Sequence, residues 1–415
     1  MPTPDSKPSR MYRLALLLWA GGTVLGSAAG IAQWILHIGG PACVLGNLAY
    51  ILALPGWVPL YALGFSGVRD HPAGIVAAHA LAWGVWAVLL LAVLKIRQRI
   101  VQDLPRSSEP SPEPAEPESA PDLARRRFMC NAALGVAGVA AVASPTYATL
   151  IEPWSIRVRR HNIPVRDLPR SLDGLRLAQF SDPHMGPRMP YSFIEQAAGL
   201  IMDMEPDLVL LTGDYIHDGT DDIERAAGMC GPMIAAAGIG AVGVLGNHDW
   251  WGDGPAMSRA LNDAGVRMID NDRVWIDADT RSLTTTPGGE SLAIVGLGDL
   301  IEDTVDPARA FKGIDADTPR IVLAHHPDTA ELASLTGPHA PRVDLMCSGH
   351  THGGQVRIPL IGTPLVPSNY GSKYAGGLVA GPAFPVLVSR GIGMSLLPVR
   401  FGVPPEVTLI TLSRA

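Results

Sequence analysis

Three long apolar runs open the chain, at about residues 14–35, 44–65 and 73–94. Each reaches the roughly 20 apolar residues that a helix needs to cross the hydrocarbon core of a bilayer. Isolated polar residues such as Gln33, Asn47 and His79 are tolerable inside a bundle of such helices. The pattern predicts an all-α membrane-anchor region over 1–95, with about three transmembrane helices. It breaks at residues 96–127, where the stretch 107–121 (SSEPSPEPAEPESAP) is rich in Pro, Glu and Ser. Such a composition cannot bury a core and forms an extended linker. Arg125-Arg126-Arg127-Phe128 and a small-residue apolar run over 132–148 follow. Segment 128–150 is therefore either a twin-arginine-like export signal or a fourth transmembrane helix.

From residue 151 the period changes. Strands are predicted at 175–180, 207–212, 241–245, 292–297, 320–324, 343–346, 385–389 and 406–412, with helices over 191–204 and 223–237. Continuous apolar strands separated by helices argue for an α/β fold, a buried sheet covered by helices. The second half is richer in strands and turns, which fits a mixed sandwich better than a simple doubly wound sheet.

Charge divides the chain at the same place. Residues 1–150 carry a net +3 and residues 151–415 a net −10. An acidic domain argues against non-specific nucleic-acid binding, which needs a basic surface. The cations of the linker (Lys95, Arg97, Arg99, Arg106 and 125–127) outnumber Lys7, Arg10 and Arg13. The positive-inside rule then keeps the linker cytoplasmic and carries 151–415 to the extracytoplasmic side. A cytoplasmic catalytic part is the alternative. The four cysteines form no disulfide framework, and Cys230 and Cys347 are expected to be buried free thiols rather than a bridge.

Five strand ends run into polar motifs: Asp182-Pro183-His184, Gly213-Asp214, Gly246-Asn247-His248-Asp249, His325-His326 and Gly349-His350-Thr351-His352. Loops at the carboxyl ends of strands are where α/β folds hold functional groups. Glycines at 213, 246 and 349 allow sharp turns there. A rim of imidazoles and carboxylates can hold two metal ions side by side and hydrolyse a phosphate ester. Trp250 and Trp251 either line the pocket or pack beneath it. His217 reads as a loop residue.

In this order the motifs resemble the calcineurin-like metallophosphoesterases, over about residues 170–415. Arg125–Phe128 and the ending 388–412 are similar to the family's membrane-associated or exported bacterial branch. The resemblance implies a β-sandwich flanked by helices. It implies one metal on Asp182, His184 and His352, another on Asn247, His325 and His350, and Asp214 between them. It favours His325 over His326. The two divalent metal ions would be Mn, Fe or Zn, activating a bridging hydroxide. His248 would stabilise the transition state or protonate the leaving oxygen, with Asp249 orienting its imidazole. The second motif departs from the family, since Asp218 follows Asp214 after three residues instead of two. The Arg-Gly of the protein phosphatases is absent, so that reading loses ground. The expected function is a metal-dependent phosphodiesterase acting near the membrane on a phosphate ester, lipid-linked or small and soluble. The stretch 392–405 either meets the bilayer or packs as a buried strand and turn. A non-catalytic membrane sensor that uses the metal centre to bind phosphate is the alternative from a different class, and a transporter built on the first helices is weaker.

Overall fold

The computed structural model describes Met129, Ser144, residues 146–395 and residues 398–415. The predicted spans at 14–35, 44–65 and 73–94 and the linker lie outside the described residues, as does most of segment 128–150. Among the described residues no helix is long and apolar enough to cross a membrane.

Ala148–Ala415 forms one compact unit built on two sheets. The first has the order β1 (Arg157–Val165), β13 (Glu406–Arg414), β2 (Arg176–Phe180), β3 (Leu208–Leu211), β4 (Gly240–Gly243), β5 (Val266–Met268). The second runs β11 (Gly377–Ala380), β12 (Pro385–Val388), β10 (Leu345–Ser348), β9 (Arg320–Leu323), β8 (Ser291–Gly296), β6 (Arg273–Asp277), β7 (Ser282–Thr284). Strands β2 to β5 are mutually parallel, as are β8, β9, β10 and β12. The mixed character comes from β13, antiparallel to β2, and from the antiparallel β6, β7 and β11.

The alternation of side chains along each strand sorts them between layers. Leu208 and Leu210 of β3 point into the core between the sheets, where they join Leu292, Ile294, Ile321 and Leu323. Their neighbours Val209 and Leu211 point outward against α1 (Tyr191–Met202) and α2 (Ile223–Ala236), through Ile194, Ile201 and Met233. On the far side Ala293, Val295 and Val322 pack against Ala310, Leu335 and Tyr374. Every position of β3, β8 and β9 is therefore buried, which is why these strands are mostly aliphatic in the sequence, Ser291 and Arg320 at their starts excepted.

The architecture is the expected mixed α/β sandwich with flanking helices. Cys230 and Cys347 are separate buried thiols, both pushed up to about 12 by burial. Among the described residues of 392–405, Ile392, Met394, Val399 and Val403 are buried, as the packed alternative for this stretch expects.

Candidate metal centre

Five parallel strands deliver the motifs to one rim. Strand β2 ends at Phe180 and leads to Asp182 and His184, and β3 ends at Leu211 and leads to Asp214. Strand β4 leads to α3 (Asn247–Gly252), β9 to His325 and His326, and β10 to His350 and His352. The backbone at this rim is strained. Asp182, His184, Asp214, His350 and His352 all have φ between 46° and 68°, in the left-handed region that bulky residues avoid. Such conformations cost of order 1–3 kcal/mol each and persist where the surroundings hold them for function. Gly213 combines φ +91° with a close approach, since a Cβ there would meet the Gly246 amide nitrogen at 2.6 Å and His325 Nδ1 at 2.8 Å. At Gly349 the need is space alone, because a Cβ would collide with Ser181 and Asp182.

Two groups of ring nitrogens and carboxylate oxygens form, each with its ligand atoms within 4.8 Å of one another: Asp182, His184 and His352, and Asp214, His325 and His350. In the first, the Nε2 atoms of His184 and His352 lie 2.8 Å apart and His352 Nε2 is 3.5 Å from Asp182 Oδ1. In the second, Asn247 Oδ1 sits 3.0 Å from His350 Nδ1. Asp214 Oδ2 joins the groups, at 3.4 Å from His184 Nε2 and 3.2 Å from His325 Nε2. His325 Nδ1 is 2.7 Å from the Thr212 carbonyl, which can only accept. That contact places the Nδ1 proton and turns Nε2 toward Asp214. His325 Nε2 is buried and makes no hydrogen bond within the protein. Two imidazole nitrogens aimed at each other, and a buried ring nitrogen aimed at a carboxylate, fit a pair of cations between these side chains.

Electrostatics follow from burial and crowding. Burial raises Asp182 to about 6. Burial would also raise Asp214, but His325 and His248 hold it well below the usual carboxylate range. Burial alone would lower His325, yet the Asp214 carboxylate raises it well above an ordinary histidine. His184, His350 and His352 are held well below the ordinary value, chiefly by burial.

His326 is not in either group. Its ring stacks 4.1 Å from that of His350, and its Nδ1 accepts the Asp328 amide at 3.3 Å. Asp218, the displaced acid of the second motif, is exposed. The turn that carries Asp214 is anchored by Asp249 instead. That carboxylate accepts the amides of Asp214, Tyr215 and Gly246 at 2.8–2.9 Å and that of Ile216 at 3.3 Å. The expected orienting contact from Asp249 to the His248 imidazole is therefore corrected, because the carboxylate is committed to backbone amides from two motifs. The His248 ring instead donates from Nδ1 to the His217 carbonyl and reaches Ser395 Oγ through Nε2 at 3.3 Å.

Three further residues belong to the neighbourhood. His217 is buried, and a ring nitrogen of His217, His184 and His248 converges within 4.8 Å. No spacing signal separated it from a loop histidine. Trp251 stands over the site, its ring 4.2 Å from that of His248 and its indole N–H donating to Glu302 at 2.7 Å, whereas Trp250 packs into the helix-side core. Arg400 is fully buried and donates to the carbonyls of Arg390, Gly391, Gly393 and Val403, with Nη2 also 3.3 Å from His352 Nδ1. Burial lowers it to about 10. An arginine inside an apolar stretch was the available signal for it.

The family profile "Calcineurin-like phosphoesterase" matches residues 175–354. The chain is similar to the Escherichia coli "Phosphodiesterase YaeI", 30% identical over 299 residues, which cover 70% of this chain and 99% of that protein. It is similar to the zebrafish (Danio rerio) "Transmembrane protein with metallophosphoesterase domain", 27% identical over 296 residues, 69% of this chain and 62% of that one. It is also similar to the "UDP-2,3-diacylglucosamine pyrophosphatase LpxG" of Chlamydia trachomatis, 27% identical over 313 residues, 64% of this chain and 91% of that one.

Proposed function

Because the chain belongs to the calcineurin-like metallophosphoesterases and is a phosphoric ester hydrolase, we propose that it is a membrane-tethered phosphodiesterase with a dinuclear metal centre. The observation that carries this reading is the single oxygen Asp214 Oδ2, which faces one histidine of each group at 3.4 and 3.2 Å. Asp182, His184 and His352 would hold one divalent ion, Asn247, His325 and His350 the other, and Asp214 both. His325 is preferred to His326 because its Nε2 faces Asp214. Bound there, two ions of the Mn, Fe or Zn class would supply an activated water and neutralise charge on the phosphate oxygens.

The chain's own residues do the rest. His248 has its Nδ1 proton fixed on the His217 carbonyl, so Nε2 is the nitrogen left to carry a proton toward the leaving oxygen. Ser395 Oγ lies 3.3 Å from Nε2 and helps fix the ring. Trp251 lies against His248, their ring centroids 4.2 Å apart. Asp249 positions Asp214 through the backbone and takes no part in proton transfer.

The substrate is proposed to be a lipid-linked phosphate or pyrophosphate ester. The relative named as a diacylglucosamine pyrophosphatase supports this. The apolar runs of residues 1–95 and the relative named as a transmembrane protein support a multi-pass anchor. The charge of the linker supports an extracytoplasmic catalytic unit. The testing experiment uses the full chain in detergent, stripped of metal and resupplied separately with Mn²⁺, Fe²⁺ and Zn²⁺. Chromogenic mono- and diesters and a lipid-linked pyrophosphate serve as substrates, with Asp214→Asn as the blank. Metal-dependent diester or pyrophosphate turnover absent from the blank is expected. No turnover on any substrate by folded, metal-loaded protein would overturn the reading in favour of a phosphate-binding membrane sensor.

A further inference from the structure

The chain leaves the rim at His352 and enters a small hairpin whose apolar side chains face water. Ile358 and Gly362 close it with paired backbone bonds of 2.8 and 2.9 Å. At its tip Leu360 is fully exposed, with φ +68°, and Ile361 is 74% exposed. Ile358 and Leu365, in the same segment, are exposed as well. The hairpin is held rather than loose. The Arg357 amide donates to the Phe401 carbonyl at 2.6 Å. On the other side Asp328 accepts from Ser368 Oγ at 2.6 Å and from the Asn369 amide at 2.7 Å. A backbone strained at a leucine and clamped at both ends so as to present apolar side chains is the mark of a surface with a partner.

Charge says which partner. Residues 151–415 carry a net −10, yet no Asp or Glu occurs from 345 through 405. Within that stretch Lys373 pairs with Glu331, Arg390 with Glu406, and Arg400 is buried. Arg357, at the base of the hairpin, is exposed and in no ion pair among the described residues. Glu152, the acid that the Gly402 turn brings beside Arg357, is buried and occupied by the Gly402 and Val403 amides. An apolar tip above a free guanidinium, in an otherwise acidic domain, suits acyl chains beneath anionic phosphate headgroups. We propose that the 356–366 hairpin is a bilayer-docking element, with Leu360 and Ile361 inserted below the headgroups and Arg357 at their level. The same surface would bring the rim beginning at His352 to the level of membrane phosphate esters.

This surface extends the membrane part of the proposed function, and its test reads depth instead of turnover, so either can fail alone. A nitroxide is attached at Leu360→Cys, and separately at Thr286→Cys, in a full chain carrying Cys43→Ser and Cys130→Ser. The remaining Cys230 and Cys347 are buried and stay unlabelled in the folded chain. Thr286 is an exposed position next to β7, at the other edge of the sheet from β11. The protein is reconstituted into vesicles of phosphatidylethanolamine and phosphatidylglycerol. The expected result is a collision ratio for oxygen over a nickel chelate several-fold higher at 360 than at 286. Equal ratios, with both labels open to the chelate, would overturn the proposal. A label at 360 shielded from oxygen and chelate alike would also overturn it, in favour of a protein partner or a second copy.

Discussion

His184 and His352 present their Nε2 atoms to one another at 2.8 Å in the protein interior. Arg400 Nη2, which can only donate, lies 3.3 Å from the other nitrogen of His352. In the metal-free ring the proton of His352 is thereby on Nε2, shared with His184. A cation taken up between these rings needs that Nε2 lone pair, so the proton must pass to Nδ1 and the Arg400 contact must give way, with no proton released to solvent. The group at which protons compete with the cation is Asp182, raised to about 6 by burial. Its carboxylate is protonated below that value and free above it. Metal affinity is thus expected to fall as pH drops through about 6, by ~10-fold per pH unit for each proton displaced. Competition against a fluorescent chelator at pH 7.5 and pH 5 checks this. Equal affinity at the two values would count against Asp182 as a ligand.

Asp249 offers a test that separates anchoring from imidazole orientation. Its carboxylate gathers four amides, three from the Asp214 turn and one from Gly246. Asp249→Ala leaves buried donors without an acceptor, at about 1–3 kcal/mol for each one not rescued by water. Denaturant unfolding should show a loss of roughly 3 kcal/mol or more, and metal affinity should drop with it because the backbone carrying Asp214 moves. A residue that merely oriented His248 would lower turnover and leave stability and metal binding unchanged.

The motifs were legible because each follows a strand buried on both faces. Leu208–Leu211 and Arg320–Leu323 have few polar side chains to interrupt them, so the polar residues at their ends stand out. Strand β1 was not legible. It lies at a sheet edge, exposes Arg157, Arg159 and Arg160, and pairs only with β13, so neither an apolar run nor a clean alternation marks it. Strands β5 and β7 are three residues long, too short for any period to register. The contacts of Asp249 and His248 were hidden for another reason. The contacts to the Asp214 turn and to the His217 carbonyl go to backbone groups some 30 positions away, and a backbone amide or carbonyl leaves no trace in residue type. The exposed Leu360 and the buried Ile392 show the same limit in reverse, since both sit in apolar sequence and only tertiary packing distinguishes them.

Arg400 ties the strand-end loop after β12 to the interior. It is fully buried and serves four carbonyl groups while touching His352. Arg400→Met keeps much of the volume and removes every donor. Each buried carbonyl left without a donor and not rescued by water costs about 1–3 kcal/mol. Thermal unfolding of the metal-free full chain should shift accordingly. A variant as stable as the parent would mean that water replaces the guanidinium at these carbonyls.

Asp270 sets a pH dependence that has nothing to do with metal. It follows β5 and accepts the Leu245 amide at 2.8 Å, one residue before the Gly246 turn. Burial raises its carboxyl to about 7, with Asp303 and Asp299 adding to the rise. The folded state therefore holds a proton that the unfolded chain, with its ordinary value of 3.8, has already lost. The native state binds more protons than the unfolded state between these values, so stability falls as pH rises. The contribution is complete below about pH 4 and gone above about pH 7. An asparagine keeps an oxygen for the Leu245 amide and cannot ionise. Unfolding midpoints of the parent and Asp270→Asn should be compared in chelator at pH 5 and pH 8. The parent is expected to lose more stability than the variant across that interval. Parallel losses would mean that Asp270 is ionised in the folded protein at both pH values and that solvent reaches its carboxylate.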